Sequence, residues 1–263
     1  MCEIFAASAR KPQRYDTYLK EFFTDAVKHP HGWGLCWHEG TETRLFKEPV
    51  TAIESSYLEY LLNMGIETQL LIAHIRNATK GIVAYGNTHP FVANDSDGRQ
   101  WVFCHNGSIL QEELTQPYEK LQQGGTDSER VMLFFLEQLN HERLQRDRPL
   151  CLEERWRILG LALAELSPGN KLNLAFDDGE YLYVHSNTEQ PTLFVRTTDT
   201  EVLICSRPIG DGWEPIERCR LFAYRNGELA FTGEKHNGSF DNDAYLELVA
   251  SWIAEEQALS CGH

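Results

Sequence analysis

The spacing of short apolar runs limits this chain more than any other feature of its sequence. Residues 2–9, 35–38, 44–46, 70–75 and 101–104 read as strands in the first half, and 172–177, 181–186, 192–196, 201–206, 220–224 and 228–232 in the second. Helical periodicity appears over 15–27, where Tyr15, Tyr18, Leu19, Phe22, Phe23, Ala26 and Val27 fall on one face, and again over 55–64, 126–136 and 153–166. A closing helix is expected over roughly 243–259. The strands come in adjacent, hairpin-like pairs, with helices grouped between the early and late sets. That order favours an α+β fold with antiparallel sheets over alternating βαβ units. No repeat, low-complexity run or linker interrupts the sequence, so 1–263 is expected to be one domain.

Composition narrows the function. The chain has 263 residues, and 24 Lys and Arg against 39 Asp and Glu give a formal net charge of −15. Such a balance argues against a nucleic-acid binder, which carries a basic face, and against attachment to anionic membranes. No stretch approaches the ~18 apolar residues of a spanning helix, and the opening residues do not form a secretory signal. A cytoplasmic location is the expectation. The seven cysteines are Cys2, Cys36, Cys104, Cys151, Cys205, Cys219 and Cys261, with no Cys-x-x-Cys pair. Neither a zinc site nor a redox motif is indicated, and reduced thiols fit an odd count. No metal or cofactor is expected. Gly-rich phosphate-binding loops are absent from the sequence.

The second residue carries the most specific chemistry. Once Met1 is removed, Cys2 presents a thiol of pKa near ~8.5 and an α-amine of about 7.7–8.0 on one carbon. Nucleophile and general base would then come from a single residue. The alternative is an ordinary cysteine at the start of a buried strand. Four later stretches invite the same double reading: Ala73-His74-Ile75-Arg76, Asn87-Thr88-His89-Pro90-Phe91, Cys104-His105-Asn106-Gly107 and Gly125-Thr126-Asp127-Ser128, the last running into the capping-box sequence Thr126-Asp127-Ser128-Glu129. Arg76 could be a solvated charge at a strand end, and His89 could be held extended by the proline behind it. Asn106-Gly107 is a strong hairpin signal. Asp127 sits in the first turn of a helix opened by a capping-box sequence, where a carboxylate is favoured.

Taken in order, these stretches resemble the class II glutamine amidotransferases, the N-terminal-nucleophile type of hydrolase. A leading cysteine, His-x-Arg, Asn-x-His-Pro, His-Asn-Gly and Thr-Asp-Ser-Glu follow one another over residues 2–129. Gly32-Trp33-Gly34-Leu35 and Cys205-Ser206-Arg207-Pro208-Ile209 with Gly212-Trp213 are further similar to the small stand-alone YafJ-like members. The resemblance implies a four-layer αββα sandwich of two antiparallel sheets. It also implies roles. Cys2 would attack the side-chain amide of glutamine. The Asn106 carboxamide and the Gly107 N–H would hold the oxyanion. Arg76 would fork onto the substrate α-carboxylate, Asp127 would receive its α-ammonium, and His89 would line the substrate loop.

Departures from the larger family touch specificity. Glu3 stands where the multi-domain synthases have glycine, Asn77 where the sugar-phosphate synthases have tryptophan, and Lys80 in place of a histidine. Three functions follow from the resemblance. The first is a glutaminase or glutamine amidotransferase, with water or a separate ammonia-accepting subunit downstream. The others are a hydrolase of γ-glutamyl amides of peptide-like or modified amino-acid conjugates, and a non-catalytic binding subunit.

Overall fold

A strand buried on both faces must be apolar at successive positions, and the first strand is. Ile4 and Ala6 face one way, Phe5 and Ala7 the other, and none of the four exposes any surface. The computed structural model describes residues 2–40, 42–78 and 80–247. Among them, one sheet runs in spatial order β11 (Glu214–Pro215), β9 (Phe194–Thr197), β10 (Glu201–Cys205), β1 (Glu3–Arg14), β4 (Glu67–Ile75), β2 (Trp33–Glu39) and β3 (Glu42–Glu48). The other runs β13 (Glu228–Thr232), β12 (Arg220–Arg225), β8 (Leu182–Ser186), β7 (Leu174–Asp177), β6 (Gln100–His105) and β5 (Phe91–Asn94). Every paired neighbour is antiparallel.

Three cores make the layers. Ile4, Cys36, Ile72, Cys104, Ala175 and Ile204 interlock between the sheets. The outer face of the first sheet presents Phe5, Trp33 and Leu71 to α1 (Asp16–Phe23) and α2 (Ser56–Met64) through Leu19, Phe22 and Leu58. The outer face of the second presents Phe103 and Phe176 to α3 (Asp127–Leu144) and α4 (Leu152–Leu166) through Phe135 and Leu159. This is the α+β, αββα arrangement that the motifs imply. A polar tie also crosses the interior, from His38 Nε2 on β2 to Asp177 Oδ1 on β7 at 2.7 Å.

Several elements differ from the pattern read in the sequence. The helix expected over 15–27 ends at Phe23 and continues only as a 3₁₀ turn, Thr24–Val27. β1 runs on to Arg14 through an irregularity in its pairing with β4, carrying a charged tail that apolar periodicity could not mark. The short β5 and the two-residue β11 lie at sheet edges, where one-sided burial leaves little apolar signal. Residues 242–247 are helical, and the rest of the expected closing helix lies outside the described residues.

The two Asn-Gly pairs part company. Asn226 (φ 53°) and Gly227 (φ 74°) are both left-handed and turn β12 into β13, as a primed hairpin turn requires. Asn106-Gly107 makes no such hairpin. Its residues keep negative φ, β6 pairs only with β5 and β7, and the chain leaves His105 to bridge Ser108 to Lys171. The hairpin reading of that dipeptide is therefore wrong, because the strand that follows is not its partner.

Gly34 on β2 is dictated by close approach: a Cβ there would fall 1.9 Å from the His89 carbonyl oxygen. Gly160 on α4 has open space around it. Urea unfolding should accordingly show Gly34→Ala destabilised by about 1–3 kcal/mol or more, and Gly160→Ala stabilised by about 0.5–1 kcal/mol.

Candidate active site

The β1–β4 register places the start of the chain. Glu3 lies opposite Ile75 and Ile4 opposite His74, which brings Cys2 to the end of the sheet beside Arg76. Cys2 Sγ donates to the Asn77 carbonyl at 3.4 Å and accepts from the Asn77 N–H at 3.3 Å. Burial pushes the thiol pKa up; the Asn77 bond and the Arg76 charge pull against that. The segment is braced by the preceding turn, where His31 N–H donates to the Arg76 carbonyl at 3.1 Å and His31 Nδ1 accepts from Ala78 N–H at 2.9 Å.

Arg76 is 2 % exposed, and its fork is occupied by backbone. Nη1 donates to the Ile82 carbonyl at 3.1 Å, and Nη2 to those of Lys80 and Gly81 at 3.0 and 3.1 Å. The guanidinium thus organises the loop that follows Thr79. Lys80 Nζ reaches across to the Ile109 carbonyl at 3.2 Å and to Glu112 Oε1 at 2.5 Å.

The second sheet supplies the loop opposite. Asn106 N–H donates to the Asn173 carbonyl at 2.9 Å, and Ser108 and Lys171 exchange backbone bonds at 3.1 and 3.0 Å. Between these anchors, no acceptor takes the Gly107 N–H among the described residues, and the Asn106 carboxamide is likewise uncommitted. Only glycine fits at 107, since a Cβ would lie 2.0 Å from the Lys171 carbonyl oxygen and 2.1 Å from His105 Nε2. His105 locks the loop from behind. Its Nε2 donates to the Lys171 carbonyl at 2.9 Å, so its Nδ1 is the acceptor for Ser128 Oγ at 3.0 Å. Burial pulls its pKa down and keeps the ring neutral.

Asp127 begins α3, with Oδ2 accepting from Ile109 N–H at 2.9 Å, which ties the helix start to the loop after Gly107. The capping box is half made. Thr126 Oγ1 accepts from Glu129 N–H at 3.3 Å, but the Glu129 carboxylate turns to Gln123 and Gly124 N–H at 2.7 and 2.8 Å.

His89 is 3 % exposed, with its carbonyl close against Gly34 of β2. Its ring packs on His74 and Phe91, with centroids 4.2 and 4.5 Å away. Lys47 Nζ holds the turn around it by donating to the Thr88 and Pro90 carbonyls at 2.6 and 3.1 Å. His74 faces the His105 backbone across the sandwich, and no ring nitrogen of His74 or His89 meets a partner at full hydrogen-bond geometry among the described residues. Desolvation drives His89 well below its usual pKa and His74 to about 3, so both are neutral.

One end of the sandwich therefore gathers Cys2, Arg76, Asn106, Gly107 and Asp127 on two sheets and a helix start. Residues 1–198 match the family model for class-II glutamine amidotransferases. The chain belongs to that family. It is 30% identical to the YafJ protein of Escherichia coli over 195 residues, 72% of this chain and 74% of that one. An uncharacterized protein of Methanocaldococcus jannaschii is 26% identical over 262 residues, 89% of this chain and 72% of that protein. In fold, the chain is similar to the crystal structure of a predicted glutamine amidotransferase from Pseudomonas aeruginosa, with a TM-score of 0.63, 21% identity, and coverage of 88% of this chain and 100% of that one. It is also similar to the glutamine phosphoribosylpyrophosphate amidotransferase of Bacillus subtilis, with a TM-score of 0.65, 15% identity, and coverage of 89% of this chain and 49% of that one. No helix among the described residues is long and apolar enough to cross a membrane.

In this class II chain, strands beyond residue 198 complete both sheets, with β10 hydrogen-bonded to β1 and β12 to β8. Sequence reasoning passed over three residues at the site. Lys171 lies in a stretch with no motif of its own, and Ser128, although inside Thr126-Asp127-Ser128-Glu129, was given no role. Glu3 was visible only as a departure from glycine. Its carboxylate is 3.6 Å from His29 Nε2, and burial, with Asp25 adding repulsion, lifts its pKa from 4.5 to about 7. The native chain therefore keeps a proton that the unfolded chain releases between those values. The Glu3 contribution to stability is fully present below about pH 4.5 and is lost as pH rises to about 7. Denaturant titrations across that window should show the decline, and Glu3→Gln should flatten it.

Proposed function

We propose that this chain cleaves the γ-amide of glutamine or of a γ-glutamyl compound through a thioester on Cys2, with the α-amine of Cys2, freed by removal of what precedes it, as the base. The observation that carries this reading is a thiol beside Asn77 and Arg76 at the end of β1, tied through Lys80 and the Ile109 carbonyl to a loop with two donors uncommitted among the described residues, the Asn106 carboxamide and the Gly107 N–H. Membership of the class II family supports it. The Cys2 thiol passes its proton to the amine, and sulfur attacks the amide carbon. The tetrahedral oxyanion is held by Asn106 and Gly107, each such donor contributing about 2.7–4 kcal/mol to barrier lowering. Ammonia or an amine leaves with the proton, and water attacks the thioester to release glutamate. Asp127 receives the α-ammonium through the oxygen that Ile109 does not occupy.

Arg76 meets the α-carboxylate by exchanging acceptors. A charged carboxylate outbids the neutral carbonyls of Lys80, Gly81 and Ile82, and its two oxygens suit the guanidinium fork. Binding would then be coupled to a shift of the 80–82 loop, with His89 as its rigid backing. The same loop favours the second reading, a larger γ-glutamyl amide. Ile82, Val83 and Tyr85 are 77, 48 and 56 % exposed on it, apolar surface that ammonia as leaving group would not use. A separate subunit that accepts ammonia would meet this surface as well.

Purified protein should release glutamate from L-glutamine or from γ-glutamyl amides of graded apolar size without any nucleotide, and Cys2→Ala should not. Intact mass of the active material should show Cys2 as first residue; full activity from chains that retain a preceding residue would refute the single-residue nucleophile and base. Asn106→Ala should lower kcat by about 10²–10³ with little change in KM. Arg76→Ala should mainly raise KM. Loss of activity only in proportion to lost thermal stability would assign both side chains to the scaffold.

A further inference from the structure

A side-chain carboxamide offers an acceptor on one side and donors on the other, and a buried one is fixed when both find partners. Asn87 is 4 % exposed and spans two loops at the Cys2 end in this way. Its Nδ2 donates to the Ile82 carbonyl at 2.9 Å, and its Oδ1 accepts from the Gly125 N–H at 2.7 Å. The Ile82 carbonyl is also one of the three that Arg76 holds, and Gly125 stands two residues before Asp127. A chain of hydrogen bonds therefore runs from the Arg76 guanidinium through Ile82 and Asn87 to the start of α3.

The surroundings are shaped to this side chain. A Cβ at Gly124 would fall 2.3 Å from Asn87 Oδ1 and 2.6 Å from the Gly86 carbonyl oxygen, and one at Gly81 (φ 75°) 3.0 Å from Asn87 Nδ2. The Asn87 backbone is fixed as well. Its N–H donates to the Ala84 carbonyl at 3.0 Å, and the next carbonyl, of Thr88, accepts from Lys47 on β3 at 2.6 Å. On the other side, the N–H groups of Gln123 and Gly124 end on the Glu129 carboxylate of α3. Asn87 thus stands between a strand of the first sheet and a helix packed on the second, and the 80–82 loop is bonded to it at Ile82. When Arg76 leaves the Ile82 carbonyl for a substrate carboxylate, Asn87 is the donor that stays.

We propose that Asn87 is a positioning residue for the α-amino-acid head group: it holds Ile82 to Gly125 while Arg76 turns from the loop carbonyls to the substrate α-carboxylate, and so keeps the guanidinium in reach of a ligand whose α-ammonium is on Asp127. This rests on Arg76 and Asp127 as the partners of that head group. The position calls for a carboxamide, since leucine has the shape but neither polar group and an ionised aspartate has only acceptors. Lys80 makes a second tie, from Nζ to the Ile109 carbonyl and Glu112, but its side chain is 42 % exposed. Solvated ion pairs contribute little, so the buried carboxamide carries the loop.

Binding without turnover isolates the effect. L-Glutamine is titrated calorimetrically into full-length Cys2→Ala protein, with Asn87 intact and with Asn87→Ala added. The second change should weaken binding about three- to tenfold, the scale of one hydrogen bond. In protein that keeps Cys2, glutamate release should show the same rise in KM with kcat nearly unchanged. The Asn87→Ala and Arg76→Ala effects on kcat/KM should fall short of additive, because both act on one contact. Asn87→Ala protein of native circular dichroism that binds L-glutamine as tightly as its parent would overturn the inference, as would a parent that does not bind L-glutamine. If Asn87→Ala does not fold, Asn87→Asp keeps the acceptor for the Gly125 N–H and loses the donor to Ile82, and unchanged binding by that variant would overturn it equally. Glutamate release whose KM ignores Asn87 would remove this inference and leave the hydrolase reading. Binding that depends on Asn87, with no glutamate released from any γ-glutamyl amide, would sink the hydrolase reading and leave this one standing.

Discussion

Everything at the Cys2 end depends on β1 being hydrogen-bonded along both edges, to β10 on one side and β4 on the other. A strand fixed in this way has no freedom to slide, because a shift of one residue would turn Ile4 and Ala6 out of the interior and Phe5 and Ala7 into it. Cys2 inherits that rigidity although it stands at the strand's first step. Its neighbours Arg76 and Asn77 are set by the same ladder. A thiol held by sheet pairing is placed more finely than one on a loop.

The cost of this arrangement is electrostatic. Closing two sheets over polar groups removes water from His74, His89 and His105, and all three are driven toward the neutral form. Neutral rings can pack as apolar bodies, and His74 against His89 does so. His105 keeps its hydrogen bonds and acts as a post between Ser128 and the Lys171 carbonyl. The charges that survive burial do so with partners in place: Arg76 on three carbonyls, Lys47 on two. Each fixes a turn that would otherwise leave backbone acceptors unsatisfied.

The sandwich was legible because its core strands are short, apolar and bounded by turn residues, and α3 because Thr126 caps it. The motif residues stood out because a thiol, a guanidinium, a carboxamide and a carboxylate stand in the order of the class II motifs. Their company was not. That Gly107 is required by the Lys171 carbonyl, more than sixty residues away, is a fact of packing that no local pattern carries. The Asn106-Gly107 dipeptide shows the limit well. Local propensity offered a hairpin, and the long-range bridge to Lys171 overrode it. Edge strands such as β5 escaped notice because half of each is wet.

The place of β10 beside β1 also sets an order of events during synthesis. Residues 201–205 form one wall of the slot in which β1 lies, so the ribosome must make most of the chain before that slot can close. At 5–20 residues per second, the ~125 residues between β4 and β10 take roughly 6–25 s. Throughout that interval β1 can pair along its β4 edge but has no neighbour on the other, and only the arrival of β10 closes the slot. The topology that fixes the Cys2 segment thus also sets when its last wall is built.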